Sequence, residues 1–127
     1  RVNISLRLHS PNIFSMPFSK TLLKGAMETI VLKAINQQGE AYGYELVKTI
    51  RGIHQDLFQL REGTLYPLLY RLEQRGRIQS SLKETPNGKS RRYYRLTPEG
   101  KKQLKIQTKE LRLFTECLKQ ALSRQPA

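Results

Sequence analysis

Apolar residues return in pairs every four positions between Lys20 and Gln38: Leu22 and Leu23, Ala26 and Met27, Ile30 and Val31, Ala34 and Ile35. That spacing lays them along one broad helical face and predicts a buried helix ended by Gly39. A second helical pattern runs from about Gly43 to Arg51, with Leu46, Val47 and Ile50 inward, Glu45 near the positive end of the helix dipole, and Gly52 closing it. Phe58, Gln59 and Leu60 alternate in the manner of a very short strand. A third helix, about Arg61 to Arg75, buries Leu65, Leu68, Leu69 and Leu72 and turns Gly63, Pro67, Tyr70 and Gln74 to the opposite side, flanked by Thr64, Tyr66 and Arg71. Pro67 lacks an N–H and crowds the preceding turn, so this helix must start within a residue or two of Gly63.

Beyond Gly76 the period changes to two. Ile78, Ser80 and Leu82 oppose Gln79, Ser81 and Lys83; then Arg92, Tyr94 and Leu96 oppose Arg91, Tyr93 and Arg95. Two strands follow, joined through Thr85-Pro86-Asn87-Gly88, where Asn-Gly favours the left-handed conformations of a tight hairpin. Thr97 and Pro98 are suited to the N-cap and first position of a last helix reaching about Ser123. In it Leu104, Leu111 and Leu118 recur at intervals of seven, Phe114, Ala121 and Leu122 fill the neighbouring row, and Ile106, Leu113 and Cys117 widen it. Such a helix is too long for so small a domain to cover, and a partner chain is its natural cover.

Helix, helix, short strand, helix, hairpin, helix is the order of a winged helix-turn-helix. The expected fold is therefore mainly α with a small β-wing, and a long C-terminal dimerisation helix. Residues 1–19 are expected to be an N-terminal extension, flexible over residues 1–15 if native to the fold at all, residues 20–97 the winged domain, and residues 98–127 the pairing helix.

The length of 127 residues allows one domain with a modest core and excludes most multidomain enzymes. Charge sharpens the picture: 23 Lys and Arg against 10 Asp and Glu leave a net +13, which opposes compaction unless a polyanion offsets it. The excess is local. Between Lys83 and Lys105 stand Lys83, Lys89, Arg91, Arg92, Arg95, Lys101, Lys102 and Lys105, with only Glu84 and Glu99 against them. Such a cluster on a projecting hairpin supplies salt-sensitive affinity for phosphates without sequence information. Reading of bases must come from the third helix, where Thr64, Tyr66, Tyr70 and Arg71 offer hydrogen bonds to base edges and apolar contact to thymine methyls. For Tyr66 two readings stand open, a base or phosphate contact and a ring packed on the second helix.

Enzyme chemistry finds little support. Cys117 lies mid-helix among apolar neighbours, as an inert buried thiol does, and cannot form an internal disulfide since it is the only cysteine. His54 has no nucleophile or orienting acid in view, and with His9 and Cys117 it makes no set at metal-ligand spacing. The glycines fall singly near element boundaries, so there is no phosphate-cradling loop and no cofactor is expected. No run approaches the ~18 apolar residues of a membrane helix, and Arg1 to Pro11 break their hydrophobics with Asn3, Arg7 and His9. Neither a signal peptide nor a membrane anchor is expected, and a reducing cytoplasmic setting is the default.

Tyr42-Gly43-Tyr44-Glu45-Leu46, Glu62-Gly63-Thr64-Leu65-Tyr66-Pro67-Leu68-Leu69, Arg71-Leu72-Glu73 and Arg91-Arg92-Tyr93-Tyr94-Arg95-Leu96-Thr97-Pro98-Glu99-Gly100 resemble the signature runs of PadR-family transcriptional regulators. The resemblance spans about Leu22 to Leu122, in several ordered motifs. It implies a homodimeric repressor of the short-tailed kind, whose single C-terminal helix packs across the dimer with the first helix; Leu22, Leu23, Met27, Leu104, Leu111, Phe114, Leu118 and Leu122 are the pairing candidates. By the same resemblance Tyr42 and Tyr44 open the helix before the recognition helix and support or touch the DNA backbone. Glu62, Gly63, Thr64, Tyr66, Pro67, Tyr70 and Arg71 belong to the recognition helix. Asn87, Gly88, Lys89, Ser90, Arg91 and Arg92 belong to the wing. Several relatives are released from DNA by small aromatic or drug-like ligands near the dimer interface, in some cases against a tryptophan on the last helix. This chain has no Trp, and Leu111 and Phe114 occupy that region.

The expected partner is double-stranded DNA bound as an inverted repeat, with one recognition helix in each of two major grooves ~34 Å apart. Two rivals differ in class. A winged fold also serves as a protein-interaction module docking an acidic partner; exposed Tyr70 beside a basic wing argues for DNA. An RNA-binding protein needs exposed aromatics on a sheet for stacking, whereas Tyr93 and Tyr94 point to opposite faces.

Overall fold

The computed structural model describes residues 18–53 and 60–124. Helix α1 (Lys20–Gln38) is capped by the Ser19 side chain, which accepts from the Leu22 N–H at 3.1 Å, and stops at Gly39. A two-residue strand β1 (Ala41–Tyr42) leads into α2 (Gly43–Ile53). Helix α3 (Glu62–Gln74), strands β2 (Ile78–Glu84) and β3 (Ser90–Leu96), and helix α4 (Pro98–Ser123) complete the order. The three strands form one antiparallel sheet with β3 in the middle, β1 on one side and β2 on the other. No described helix is long and apolar enough to cross a membrane.

The core is made where one face of each helix meets the sheet. Val31, Leu32 and Ile35 of α1, Leu46 and Ile50 of α2, Leu65, Leu69 and Leu72 of α3, and Ile78 of β2 are all at most 2% exposed. Leu60, just before α3, joins them. Burying ten such side chains at ~1.5 to 3 kcal/mol each supplies the main driving force of a domain this size, and it fixes which side of α3 faces outward.

Three expectations from sequence are corrected. The third strand is Ala41–Tyr42, paired with Tyr93 and Tyr94; Phe58, Gln59 and His54 lie outside the described residues, and Leu60 is in no strand. The segment before α2 contributes the strand, where Ala41, fully buried, brings only a methyl group against Tyr94. Helix α2 continues through Gly52 to Ile53 instead of closing at Gly52. The hairpin loop is not built on a left-handed Asn87: only Gly88 there has positive φ, at 82°. Pro86 and Asn87 make an ordinary turn closed by Gly88 N–H to Thr85 carbonyl at 2.9 Å, and Gly88 then turns the chain so that Thr85 N–H reaches the Lys89 carbonyl at 2.7 Å. The expected extension over residues 1–15 lies outside the described residues.

The apolar pairs of α1 face two ways. Met27, Val31, Ala34 and Ile35 are buried, Leu32 is fully buried although outside the paired pattern, and Leu22 is 62% exposed. On α4 only Gly100 and Leu104 are buried. Met27 and Leu104 therefore belong to the core of a single chain, while Leu22, Phe114, Leu118 and Leu122 remain exposed and Leu23 and Leu111 are half-buried. Cys117 is exposed as well, contrary to a buried thiol, as is every described residue of α4 from Arg112 onward.

The root of α4 is pinned. Thr97 caps the helix by accepting from Gly100 N–H at 2.9 Å, donates its hydroxyl to the Gly76 carbonyl at 2.6 Å, and donates its backbone N–H to the Arg77 carbonyl at 3.1 Å. Gly100 has no Cβ because one would lie 1.9 Å from the Arg77 carbonyl oxygen. The last helix is thereby seated on the turn that follows α3.

Candidate nucleic-acid interface

Helix α3 buries Leu65, Leu68, Leu69 and Leu72 and leaves Glu62, Gly63, Thr64, Tyr66, Pro67, Tyr70 and Arg71 exposed. This is the division expected from periodicity. The helix begins at Glu62, whose carboxylate suits the positive N-terminal dipole. Pro67 lies well inside it and deprives the Gly63 carbonyl of its helical donor. Both residues are exposed, so water can serve that carbonyl. Tyr70 is 65% exposed and Tyr66 45%.

Tyr66 turns out to serve two ends. A Cβ placed on Gly43 would lie 2.3 Å from the Tyr66 hydroxyl oxygen, so the tyrosine ring reaches across the first turn of α2 and only glycine makes room for it. Burial raises the Tyr66 pKa first, the nearby Glu62 carboxylate raises it further, and Arg91 opposes both. Its hydroxyl is a neutral hydrogen-bond donor at physiological pH. Tyr44, beside it on α2, is 51% exposed with the Lys48 ammonium 5.5 Å from its ring centre.

The wing is braced on both faces. On one, the Arg91 guanidinium lies 5.0 Å from the ring centre of Tyr42, which meets Tyr93 edge to face at 5.3 Å. Lys83 lies 5.6 Å from the ring centre of Tyr93 and also pairs with Glu40. On the other, Arg92 donates to Ser80 Oγ at 3.0 Å, and Ser80 donates to Glu73 of α3 at 2.8 Å. Tyr94, also on this face, is buried, and its pKa is raised mainly by that burial. At the tip Asn87, Gly88, Lys89 and Ser90 are exposed.

Of the sequence-selected residues, Tyr66 of α3, Tyr42 before α2 and Arg91 of the wing come together, with Arg91 over the Tyr42 ring and close enough to influence the Tyr66 hydroxyl. Sequence reading did not find Gly43 as the seat of Tyr66, nor the Arg91–Tyr42–Tyr93 cluster. The register Tyr42 to Tyr93 is the missing signal, since it depends on a strand of two residues too short to show a period. Groups of three or more metal-ligating side chains are absent among the described residues.

A basic hairpin beside a helix whose outer strip is Thr, Tyr and Arg defines a winged helix-turn-helix of the DNA-binding class. Residues 31–106 match the Transcriptional regulator PadR-like family, and the chain belongs to that family. A transcriptional regulator from Streptococcus superposes with a TM-score of 0.72 at 33% identity, covering 83% of this chain and 100% of its own. A PadR-like transcriptional regulator from Bacillus cereus gives 0.71 at 30% identity, covering 83% and 99%. An uncharacterised protein of Lysinibacillus sphaericus is 34% identical over 89 residues, which is 70% of this chain and 81% of that protein. The chain is a DNA-binding transcriptional regulator and not an enzyme.

Proposed function

We propose that the chain acts in the cytoplasm as a homodimeric repressor that binds an inverted-repeat operator, with one α3 in each of two major grooves and the wings on the flanking backbone. The observation that carries this reading is the pairing of an outward Thr64–Tyr66–Tyr70–Arg71 strip with an α4 whose Leu113, Phe114, Leu118 and Leu122 are left uncovered by the described residues, at 68, 58, 39 and 77% exposed. Apolar side chains so exposed along one helix are stable in water when a second copy covers them. Glu62, Gly63 and Pro67 set the start and close approach of α3; Thr64, Tyr66, Tyr70 and Arg71 read bases; Tyr42, Tyr44 and the wing residues Asn87 to Arg92 engage the backbone.

A small effector fits the same reading. A cleft of about 700 Å³ opens between α1, the end of α2 and α4, lined among others by Ile30, Lys33, Ile53, Leu111 and Arg112. That volume lies in the range of small-molecule sites. The decisive experiment selects duplexes from a random-sequence library with the purified protein and measures mass in solution. An inverted repeat and a dimer that Phe114→Glu with Leu118→Glu converts to monomer are expected. Selection of a single unrepeated half-site by a monomer would refute the reading.

A further inference from the structure

The carboxylate of Glu28 lies where the pairing helices meet the end of the reading helix. It is only 15% exposed, and it accepts from the Arg75 guanidinium at 3.0 Å, from the Arg77 guanidinium, and from Gln107 Nε2 at 3.4 Å. Arg75 is the C-cap of α3. Arg77 leads into β2, and its carbonyl takes the Thr97 N–H at the root of α4. Gln107 belongs to α4, and its Oε1 accepts from the buried Thr29 hydroxyl of α1 at 2.9 Å. One carboxylate thus joins α1, the end of α3, the start of β2 and α4 through charge-assisted bonds, the stronger and more directional kind.

We propose that Glu28 is a positioning residue for operator reading: it fixes the angle of α3 against the α1–α4 frame, and through it the separation and phase of the two reading helices in the dimer. The inference rests on the homodimer reading above. Its bonds go to Arg75, Arg77 and Gln107, none of them in the exposed Thr64–Tyr66–Tyr70–Arg71 strip, so Glu28 acts through the end of α3. Electrostatics alone argues the other way, since removing a negative charge from a DNA-binding protein strengthens its attraction to any duplex. A loss of discrimination on neutralising Glu28 is therefore a geometric signature.

The test uses the full chain and its Glu28→Gln variant. Each is titrated by fluorescence anisotropy at one salt concentration on three duplexes: one selected by the wild type, the same with one central base pair inserted, and a random duplex of equal length. The insertion changes half-site separation by ~3.4 Å and rotates one half-site by about a tenth of a turn. The wild type is expected to bind the inserted duplex more weakly than the selected one. In Glu28→Gln that ratio should shrink by about tenfold, the scale of one specific contact, while random-duplex affinity stays equal or rises. A smaller folded fraction would lower all three affinities together and leave the ratio unchanged. An unchanged ratio in the variant overturns the proposal. A wild type indifferent to the insertion removes the homodimer reading and this inference with it. Should Glu28→Gln fail to melt cooperatively, Arg75→Met cuts the link to the end of α3 while Arg77 and Gln107 still hold Glu28; the same shrinkage of the ratio is expected, and its absence overturns the proposal.

Discussion

Replacing Gly100 by alanine pits a local preference against a tertiary contact of opposite sign. Within a helix, Gly to Ala is favourable by up to ~1 kcal/mol. Here the new Cβ would sit 1.9 Å from the Arg77 carbonyl oxygen, against the ~3.3 Å of a close carbon–oxygen contact. The root of α4 must then retreat by about 1.4 Å, and the retreat breaks two bonds, Thr97 N–H to Arg77 carbonyl at 3.1 Å and Thr97 hydroxyl to Gly76 carbonyl at 2.6 Å. At ~1 kcal/mol net for each bond and ~1 to 3 kcal/mol for overpacking, less the helical gain, the net cost is about 2 to 4 kcal/mol. Thermal melts followed by helical circular dichroism should fall by roughly 8 to 16 °C for a chain of this size. Gly52→Ala is the control: nothing lies within 4 Å of its Cβ position, so the local preference should prevail and the melting point hold or rise. A Gly100→Ala protein as stable as the parent would refute the seating of α4 described above.

Other consequences are as direct. Arg91→Ala and Arg92→Ala should each weaken selected and random duplexes alike and flatten the logarithmic salt dependence by about one unit, read from titrations across a salt series. Tyr70→Phe, Thr64→Ala and Arg71→Ala should instead narrow the gap between selected and random DNA by ~1 to 3 kcal/mol for each direct base contact; an unaltered gap would locate readout elsewhere. Gly43→Ala displaces the Tyr66 ring and should lower operator affinity with little change on random DNA, whereas the same substitution in a Tyr66→Ala background should have no further effect, a double-mutant cycle that checks the contact. Because burial raises the Tyr66 and Tyr94 pKa values above 10.0 in the fold, the stability they confer is complete below that pH and is lost as pH rises through the higher folded values. Alkaline denaturation should start later in Tyr94→Phe than in the wild type.

Periodicity located α1, α3, β2, β3 and α4 almost to the residue because each is long enough to repeat. The outward strip of α3 came from the same arithmetic, four buried leucines leaving one exposed face. Contacts that join elements were not legible. Whether Tyr66 reads DNA or packs on α2 depends on Gly43, twenty-three positions away, and the structure has it lean on Gly43 while staying 45% exposed. Nothing in the α1 pattern marks Glu28, whose partners Arg75, Arg77 and Gln107 lie 47, 49 and 79 positions away. The exposure of Cys117 is not legible in sequence, because apolar neighbours along the chain say nothing of which part of a helix the domain covers.

The contact of Arg91 with the Tyr42 ring, itself held edge to face by Tyr93, bears on the thermodynamics of association. A free arginine on a hairpin surrenders rotamer freedom when it grips a phosphate, at ~0.5 to 1.5 kcal/mol per side chain. Arg91 has surrendered part of that freedom before DNA arrives, since an aromatic ring already supports its guanidinium plane. Calorimetry should record a smaller entropic penalty than a floppy basic hairpin incurs, and Tyr42→Ala should raise it while leaving the net charge untouched.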